Sequence, residues 1–163
     1  MTGPAMFSAR YRHRAPLSLA QRAAATRRVL AVWRERPLDW RARRHCIALA
    51  HAQARAMGHR VPALPSIRSP RAARRALDAR GFATVEAMMD ALFAPIAPAM
   101  MLAGDICTLP AEPDSGGAAG LAAVCIADGM GNLFGWHGAT GFSRLSEIKY
   151  ALAACTGAWR LGE

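Results

Sequence analysis

Residues 104–136, GDICTLPAEPDSGGAAGLAAVCIADGMGNLFGW, mark the point at which the pattern of the chain changes from helical to strand-forming. Downstream of Gly104, short apolar or alternating runs are separated by Gly, Pro and Asp, which is typical of short strands joined by turns. These runs predict strands at Asp105–Leu109, Leu121–Ala127, Leu133–Trp136, Phe142–Leu145 and Ala158–Leu161. In this half of the chain, Ser146–Ala154 predicts a short helix.

The sequence before Gly104 predicts helices instead of strands. Ser18 and Gln21 form a capping-box pattern, in which each residue satisfies a free amide of the other. Ser69 followed by Pro70 is a second strong helix start. The predicted helices run from Ser18 to about Pro37, from about His45 to Met57, from Ser69 to Gly81 and from Thr84 to about Phe93. Helices first and strands second predict an α+β fold.

The length and composition favour one domain with a short basic arm. A chain of 163 residues, 53% of them hydrophobic, is globular in composition and fits a single domain. Residues 1–16 contain Pro4 and Pro16 and are expected to form an irregular basic arm, which leaves residues 17–163 as the domain. Neither a membrane span nor secretion by a signal peptide is expected, because no apolar run approaches about 18 residues and no signal-peptide pattern opens the chain.

Positive charge is concentrated in the first half of the chain. The net charge is +10, and residues 1–80 hold 18 arginines and three acids, whereas residues 81–163 hold three bases and eight acids. On the predicted third helix, Arg71, Arg74 and Arg75 share one face. Such a face is solvated, docks on an acidic protein surface, or binds phosphates. The aromatic residues are not interleaved with the arginines, which disfavours a platform for stacking single-stranded nucleic acid.

Cys46 is the candidate nucleophile. It lies at the predicted start of the second helix, where the helix dipole and the preceding Arg43 and Arg44 favour a thiolate. A thiol of low pKa beside a base is the arrangement of a cysteine nucleophile. The alternative is that Cys46 is a small apolar residue on a core-facing stripe. The four cysteines stand singly, so neither a disulfide framework nor a zinc site is expected, and nothing predicts another metal or a cofactor.

His137 is the candidate base for Cys46. His51 lies five residues after Cys46 and would point away from it on a helix, and the adjacent His45 would not face it either. His59 is expected to be a capping or surface histidine. His137 can approach Cys46 only through the fold, and its alternative is a half-buried histidine at the end of a strand.

The carboxylates offer no obvious catalytic acid. Asp105 follows Gly104 and is expected to be a turn or strand-entry residue rather than an acid catalyst. Asp114 and Asp128 have the surroundings of turn residues.

Five segments, taken in chain order, resemble a known family. They are WRARRHC (40–46), SPRAARRALDARGFATVEAMM (69–89), PIAPAMMLAGDICTL (95–109), GLAAVCIADGMGNLFGWHGATGFSRL (120–145) and the terminal AWRL (158–161). This order is similar to that of small phage-encoded proteins related to NlpC-type, papain-like cysteine peptidases, which are encoded among the tail genes of long-tailed bacteriophages and gene-transfer particles. The resemblance covers about residues 30–161 and implies a papain-like α+β fold, with N-terminal helices packed on a small antiparallel sheet.

The resemblance assigns roles to individual residues. The nucleophile at the start of a helix matches Cys46, the Gly-Asp strand matches Gly104 and Asp105, and a third polar position that orients the base matches His137. The base itself falls at about Leu121, and leucine can neither accept nor return a proton. The resemblance therefore implies a vestigial or weak catalytic site of Cys46 with His137 as the remaining histidine.

These implications predict a structural or accessory protein of a bacteriophage-type tail, at the tail tip or hub, with little or no hydrolytic activity. Its basic N-terminal half would dock on other tail proteins, and the protein would reside in the virion after assembly in the bacterial cytoplasm. The first alternative is an active cysteine amidase or endopeptidase that cleaves peptidoglycan during phage entry. The second alternative is a nucleic-acid-binding accessory protein.

Overall fold

The computed structural model describes residues 10–11, 15–111, 120–137, 146–148 and 154–163. Within these residues there are four α-helices, α1 (Leu19–Trp33), α2 (Cys46–Ala56), α3 (Pro70–Asp78) and α4 (Val85–Leu92), and a short 3-10 helix at Pro98–Met100. The strands are β1 (Arg10–Tyr11), β2 (His59–Arg60), β3 (Ala94–Pro95), β4 (Ile106–Leu109), β5 (Ala123–Ala127), β6 (Leu133–Gly135), β7 (Ser146–Ile148) and β8 (Gly157–Arg160).

Each α-helix begins at a side chain that accepts a hydrogen bond from the first turn. Ser18 caps α1 in a complete capping box with Gln21, Ser69 caps α3 and Thr84 caps α4, so these three predicted starts are confirmed. His45 caps α2 through its ring nitrogen, which is an uncommon choice for this position. The four predicted helices are therefore present, with ends that differ from the predicted ends by a few residues.

The strands form one large antiparallel sheet and one small one. The large sheet has the order β3-β8-β4-β5-β6-β7, and every neighbouring pair in it is antiparallel. The small sheet joins β1 to β2. The predicted α+β class, with helices packed on an antiparallel sheet, is confirmed, and the sheet that they cover is the large one.

Two local predictions are wrong. Ser146–Ile148 is a strand paired with β6 rather than the start of a helix, because pairing along the edge of the sheet outweighs the helical preference of this segment. Arg10–Tyr11, within the arm expected to be irregular, pairs with His59–Arg60. The predicted strand at Phe142–Leu145, the turn residue Asp114 and most of the arm lie outside the described residues. The division into an arm and one domain stays a prediction.

The helices cover one face of the large sheet, and α2 packs directly on β5. Ile106, Val124 and Ile126 point from the sheet toward the helices and are fully buried there. Cys107 and Cys125 lie on the opposite face in a separate apolar cluster, because side chains alternate between the faces of a strand. No helix in the described parts of the chain combines the length and apolar character needed to cross a bilayer.

Candidate functional site

The start of α2 is held by a short, tightly bonded loop. Asp39 and Arg44 exchange two backbone hydrogen bonds of 2.7 and 2.8 Å, and their side chains form an ion pair at 3.1 Å. His45 then adopts an extended backbone, and its Nδ1 accepts the amide hydrogen of Ala48 at 3.2 Å. Its ring stacks on Trp40 with the centroids 4.7 Å apart. The loop thus fixes the position of the first turn of α2, which begins with Cys46.

The neutral form of His45 is built into this helix start. Burial lowers the pKa of His45 to about 4, and the positive charge of Arg43 contributes in the same direction, although a hydrogen bond with the backbone of Ile67 opposes them. A protonated ring could not accept the Ala48 amide hydrogen at Nδ1. His45 is therefore a structural cap at neutral pH, a role that the sequence did not reveal.

Cys46 is half-buried and packs against two apolar clusters on the helical side of the sheet. The buried clusters that it contacts contain Leu121, Val124 and Trp136. Burial raises the pKa of the Cys46 thiol, and hydrogen bonding to the backbone at Val124 and Ile47 only partly opposes this effect.

The expectation that the helix start lowers the pKa of Cys46 is wrong. Of the two preceding arginines, Arg43 is exposed to solvent and Arg44 is engaged by Asp39. Desolvation of the thiolate outweighs the favourable helix dipole, because Cys46, although half-buried, packs against apolar clusters.

Leu121 and His137 occupy different surroundings. Leu121 is buried and belongs to one of the clusters that contacts Cys46. His137 follows Trp136 at the end of β6, is also buried, and its Nε2 lies 3.1 Å from the carbonyl oxygen of Pro110. Since a carbonyl only accepts, Nε2 carries the proton in this contact. The cluster against which Cys46 packs therefore contains Leu121, whereas His137 contacts the residue that follows β4.

The other described histidines are structural. His51 Nε2 lies 2.9 Å from the carbonyl oxygen of Pro62. The expectation of a capping or surface role for His59 is wrong, because His59 is buried in β2, edge-on to Phe93, and its Nε2 accepts the Gly162 amide hydrogen at 2.8 Å.

Asp105 connects the sheet to α1 and to the end of the chain. It is fully buried, and its Oδ1 accepts hydrogen bonds from Arg22 at 2.5 Å and from the Leu161 amide at 3.0 Å. Its Oδ2 accepts the Leu102 amide hydrogen at 2.8 Å and lies 3.4 Å from Nε of Arg160. Its interpretation as a strand-entry residue rather than an acid catalyst fits this arrangement, because every oxygen contact supports the fold. Asp128, as predicted, is a turn residue that accepts two backbone amide hydrogens.

An apolar cavity of about 90 Å³ lies among the helices, and no local pattern in the sequence predicts it. It is walled by α2, α3, α4 and residues 61–67, almost entirely with aliphatic and aromatic side chains. Among the residues that the structure describes, no group of three or more His, Cys, Asp or Glu side chains is placed to hold a metal ion.

Comparison with known proteins gives a family but no function. No curated protein and no solved structure matches the chain. Residues 18–161 match a family described as a domain of unknown function, DUF6950. This match extends from the N-cap of α1 to the residue after β8 and so includes all four helices and the strands β2 to β8. The chain belongs to the DUF6950 family.

Proposed function

We propose that the chain is a structural or accessory protein of a bacteriophage-type tail, built on a papain-like, NlpC-type scaffold that lacks a working hydrolytic centre. One observation carries the proposal. Cys46, at the start of α2, packs against the apolar cluster to which Leu121 belongs, and Leu121 is the residue at which the resemblance expects the base. A cysteine peptidase needs a proton acceptor beside the sulfur, and hydrocarbon cannot serve as one.

The electrostatics of Cys46 support an inactive centre. Because burial raises the pKa of the thiol, only a small fraction is ionised at neutral pH. The remaining histidine of the proposed site, His137, directs its Nε2 proton to the Pro110 carbonyl. Loss of the base from a catalytic unit removes several powers of ten in rate, because its members act together.

The arrangement of elements supports the proposed scaffold. The helix that begins with the cysteine packs on β5, the strand that follows the Gly-Asp strand β4, and β4 and β5 are antiparallel neighbours. Gly104 has a backbone φ of 87°, and a Cβ there would come within 2.7 Å of Thr26 Oγ1 and of Gln53 Nε2. Glycine is thus required where the Gly-Asp motif meets α1 and α2.

Exposed arginines supply a docking surface for an acidic partner. Arg27 and Arg28 on α1, and Arg71 and Arg75 on α3, are exposed. Among the side chains that the structure describes, the large exposed apolar ones are aliphatic, so these arginines are not accompanied by exposed rings on which bases could stack. An acidic protein surface therefore fits these exposed arginines better than single-stranded nucleic acid does.

The test of the assembly role is co-purification with particles from the source bacterium. We expect the tagged chain to be recovered with purified tails, and Arg71→Glu/Arg75→Glu to reduce its recovery at least tenfold. The matched variant Arg71→Lys/Arg75→Lys keeps the charge and should be recovered like the wild type. Absence of the wild-type chain from purified particles would refute the assembly role.

The test of the inactive centre restores the missing base. We expect Leu121→His to increase the alkylation rate of Cys46 at pH 7 at least tenfold, whereas the polar but non-titrating Leu121→Gln should leave it low. A folded Leu121→His variant with unchanged Cys46 alkylation would contradict the assignment of Leu121 to the base position. Release of muropeptides by the wild type but not by Cys46→Ala would replace the proposal with the peptidoglycan-cleaving alternative.

A further inference from the structure

Three of the four cysteines gather on the face of the sheet that is turned away from the helices. Cys107 on β4 and Cys125 on β5 are directly opposite each other across the two strands, and both are fully buried. Cys155, which precedes β8, is half-buried and packs against the same cluster. Cys46 is separated from this group because it belongs to the apolar clusters on the helical side.

Within this group, Cys155 packs against the apolar cluster that contains Cys107. The proximity of the two thiols lowers the pKa of Cys155 to about 7 and raises that of Cys107. The pair combines a half-buried thiol that ionises near neutrality with a fully buried thiol that keeps its proton. The surroundings of Cys46 and Cys125 differ, because burial raises the pKa values of both thiols.

The local backbone already holds the two cysteines together. Cys107 lies on β4, which pairs with β8, and Thr156, the neighbour of Cys155, donates its amide hydrogen to the Thr108 carbonyl at 2.9 Å. A covalent link between the sulfurs would therefore join segments that are already hydrogen-bonded. Cys125 is less suited to pair with Cys107, because its sulfur is packed against Gly135, where a Cβ would lie 2.6 Å from it.

We propose that Cys155 and Cys107 form an oxidisable dithiol, in which a hydroperoxide oxidises Cys155 and Cys107 then closes a disulfide. In the first step the Cys155 thiolate attacks one peroxide oxygen, so that an S–O bond forms and the O–O bond breaks. The sulfur is oxidised to a sulfenic acid, and the other oxygen leaves as hydroxide or alkoxide and takes up a proton. In the second step Cys107 attacks the Cys155 sulfur, the S–S bond forms, the S–O bond breaks, and the departing hydroxide takes the Cys107 proton and leaves as water.

This dithiol is independent of the proposed role in a tail and of the state of Cys46. An external thiol reverses the modification by exchange, since two thiols are oxidised as the protein disulfide is reduced. The bridge would connect β4 to the residues just before β8, and so would close a covalent loop that contains the chain between Cys107 and Cys155. A bridge of this kind restricts the unfolded chain, so the oxidised protein should resist denaturant better than the reduced protein.

The test is site-resolved oxidation of the folded, full-length chain with hydrogen peroxide, followed by alkylation and peptide mapping. We expect two of the four thiols to be lost, one Cys107–Cys155 bridge to form, and dithiothreitol to restore all four. Cys155 should be consumed roughly tenfold or more faster than Cys46, because a much larger fraction of it is thiolate at neutral pH. The control variant Cys46→Ser should form the bridge at the wild-type rate.

Variants of the pair give a second readout. Cys155→Ser should abolish the loss of thiols, and Cys107→Ser should leave a sulfenic acid on Cys155 that dimedone labels. If Cys107→Ser does not fold, the map of the wild-type protein decides. A bridge between Cys107 and Cys125, preferential oxidation of Cys46, or four intact thiols after exposure to peroxide would each overturn the proposal.

Discussion

Removing the charge of Asp105 should destabilise the protein more than any other change of similar size. Asp105 is fully buried, and its partner Arg22 is only 2% exposed, so neither charge is solvated when the other is removed. In Asp105→Asn the side-chain NH2 group takes the place of one carboxylate oxygen. In one orientation it faces the Leu102 amide, in the other it faces the Leu161 amide and Arg22, and all of these groups are hydrogen-bond donors. The substitution therefore leaves a buried guanidinium without a carboxylate and creates a contact between two donors.

The expected cost follows from these two losses. Breaking a buried ion pair by removing one partner costs about 3–5 kcal/mol, and Asp105→Asn should fall in this range. Total stabilities of about 5–15 kcal/mol are usual for domains, so such a variant would retain little reserve. Arg22→Met in the Asp105→Asn background should recover part of the loss, because it removes the unpaired buried charge.

The assay is equilibrium unfolding in urea, followed by tryptophan fluorescence. Asp78→Asn is the matched control, because the Arg74–Asp78 pair has the same charge types but is exposed to solvent, so its loss should change stability far less. The reasoning would be refuted if Asp105→Asn cost no more than Asp78→Asn, or if the effects of the Asp105 and Arg22 substitutions were simply additive.

Three further predictions concern His45, the cavity and the packing of the sheet. The pKa of His45 is lowered in the folded state, so the unfolded chain binds the proton more tightly. The free energy of unfolding should therefore fall by up to roughly 3 kcal/mol as the pH drops from about 6.5 to about 4, and the urea midpoint should fall with it; His45→Asn, which keeps a capping side chain, should flatten this dependence. Ala76→Leu should fill part of the cavity beside α3 and raise the free energy of unfolding by about 1 kcal/mol. A lower thermal midpoint in this variant would show that the cavity walls cannot accept the larger side chain. Gly135→Ala should cost about 1–3 kcal/mol in urea unfolding because its Cβ meets the Cys125 sulfur, and Cys125→Ala should relieve part of that cost; full additivity of the two changes would contradict the contact.

Local signals were sufficient to predict most of the fold. The helix starts at Ser18, Ser69 and Thr84 follow from capping chemistry within three residues, and the core strands follow from short apolar runs between turn residues. The prediction of a helix at Ser146–Ile148 is wrong because the partner strand β6 lies 11 or more residues away in sequence, and no local pattern reveals an available sheet edge.

The candidate site was harder to predict, because burial decides its chemistry. The sequence predicts Cys46 at a helix start, but whether the thiol meets water, a base or hydrocarbon depends on which side chains the fold packs against it. In the same way, Arg22 has the sequence surroundings of a solvated helix residue, and its burial follows only from Asp105 lying 83 positions away. The grouping of Cys107 with Cys155, on which the proposed dithiol depends, also exists only in the folded protein.

The ionisation of Cys46 in the folded protein tests the central claim most directly. The measurement is the rate of Cys46 alkylation from pH 6 to pH 10, resolved by peptide mapping, with muropeptide release assayed on the same preparation. If the base position is apolar, the pH of half-maximal alkylation should lie above the ordinary cysteine pKa of about 8.5. No muropeptide release should then depend on Cys46. Half-maximal alkylation below about pH 7, together with muropeptide release that Cys46→Ala abolishes, would establish an active cysteine hydrolase and contradict the account.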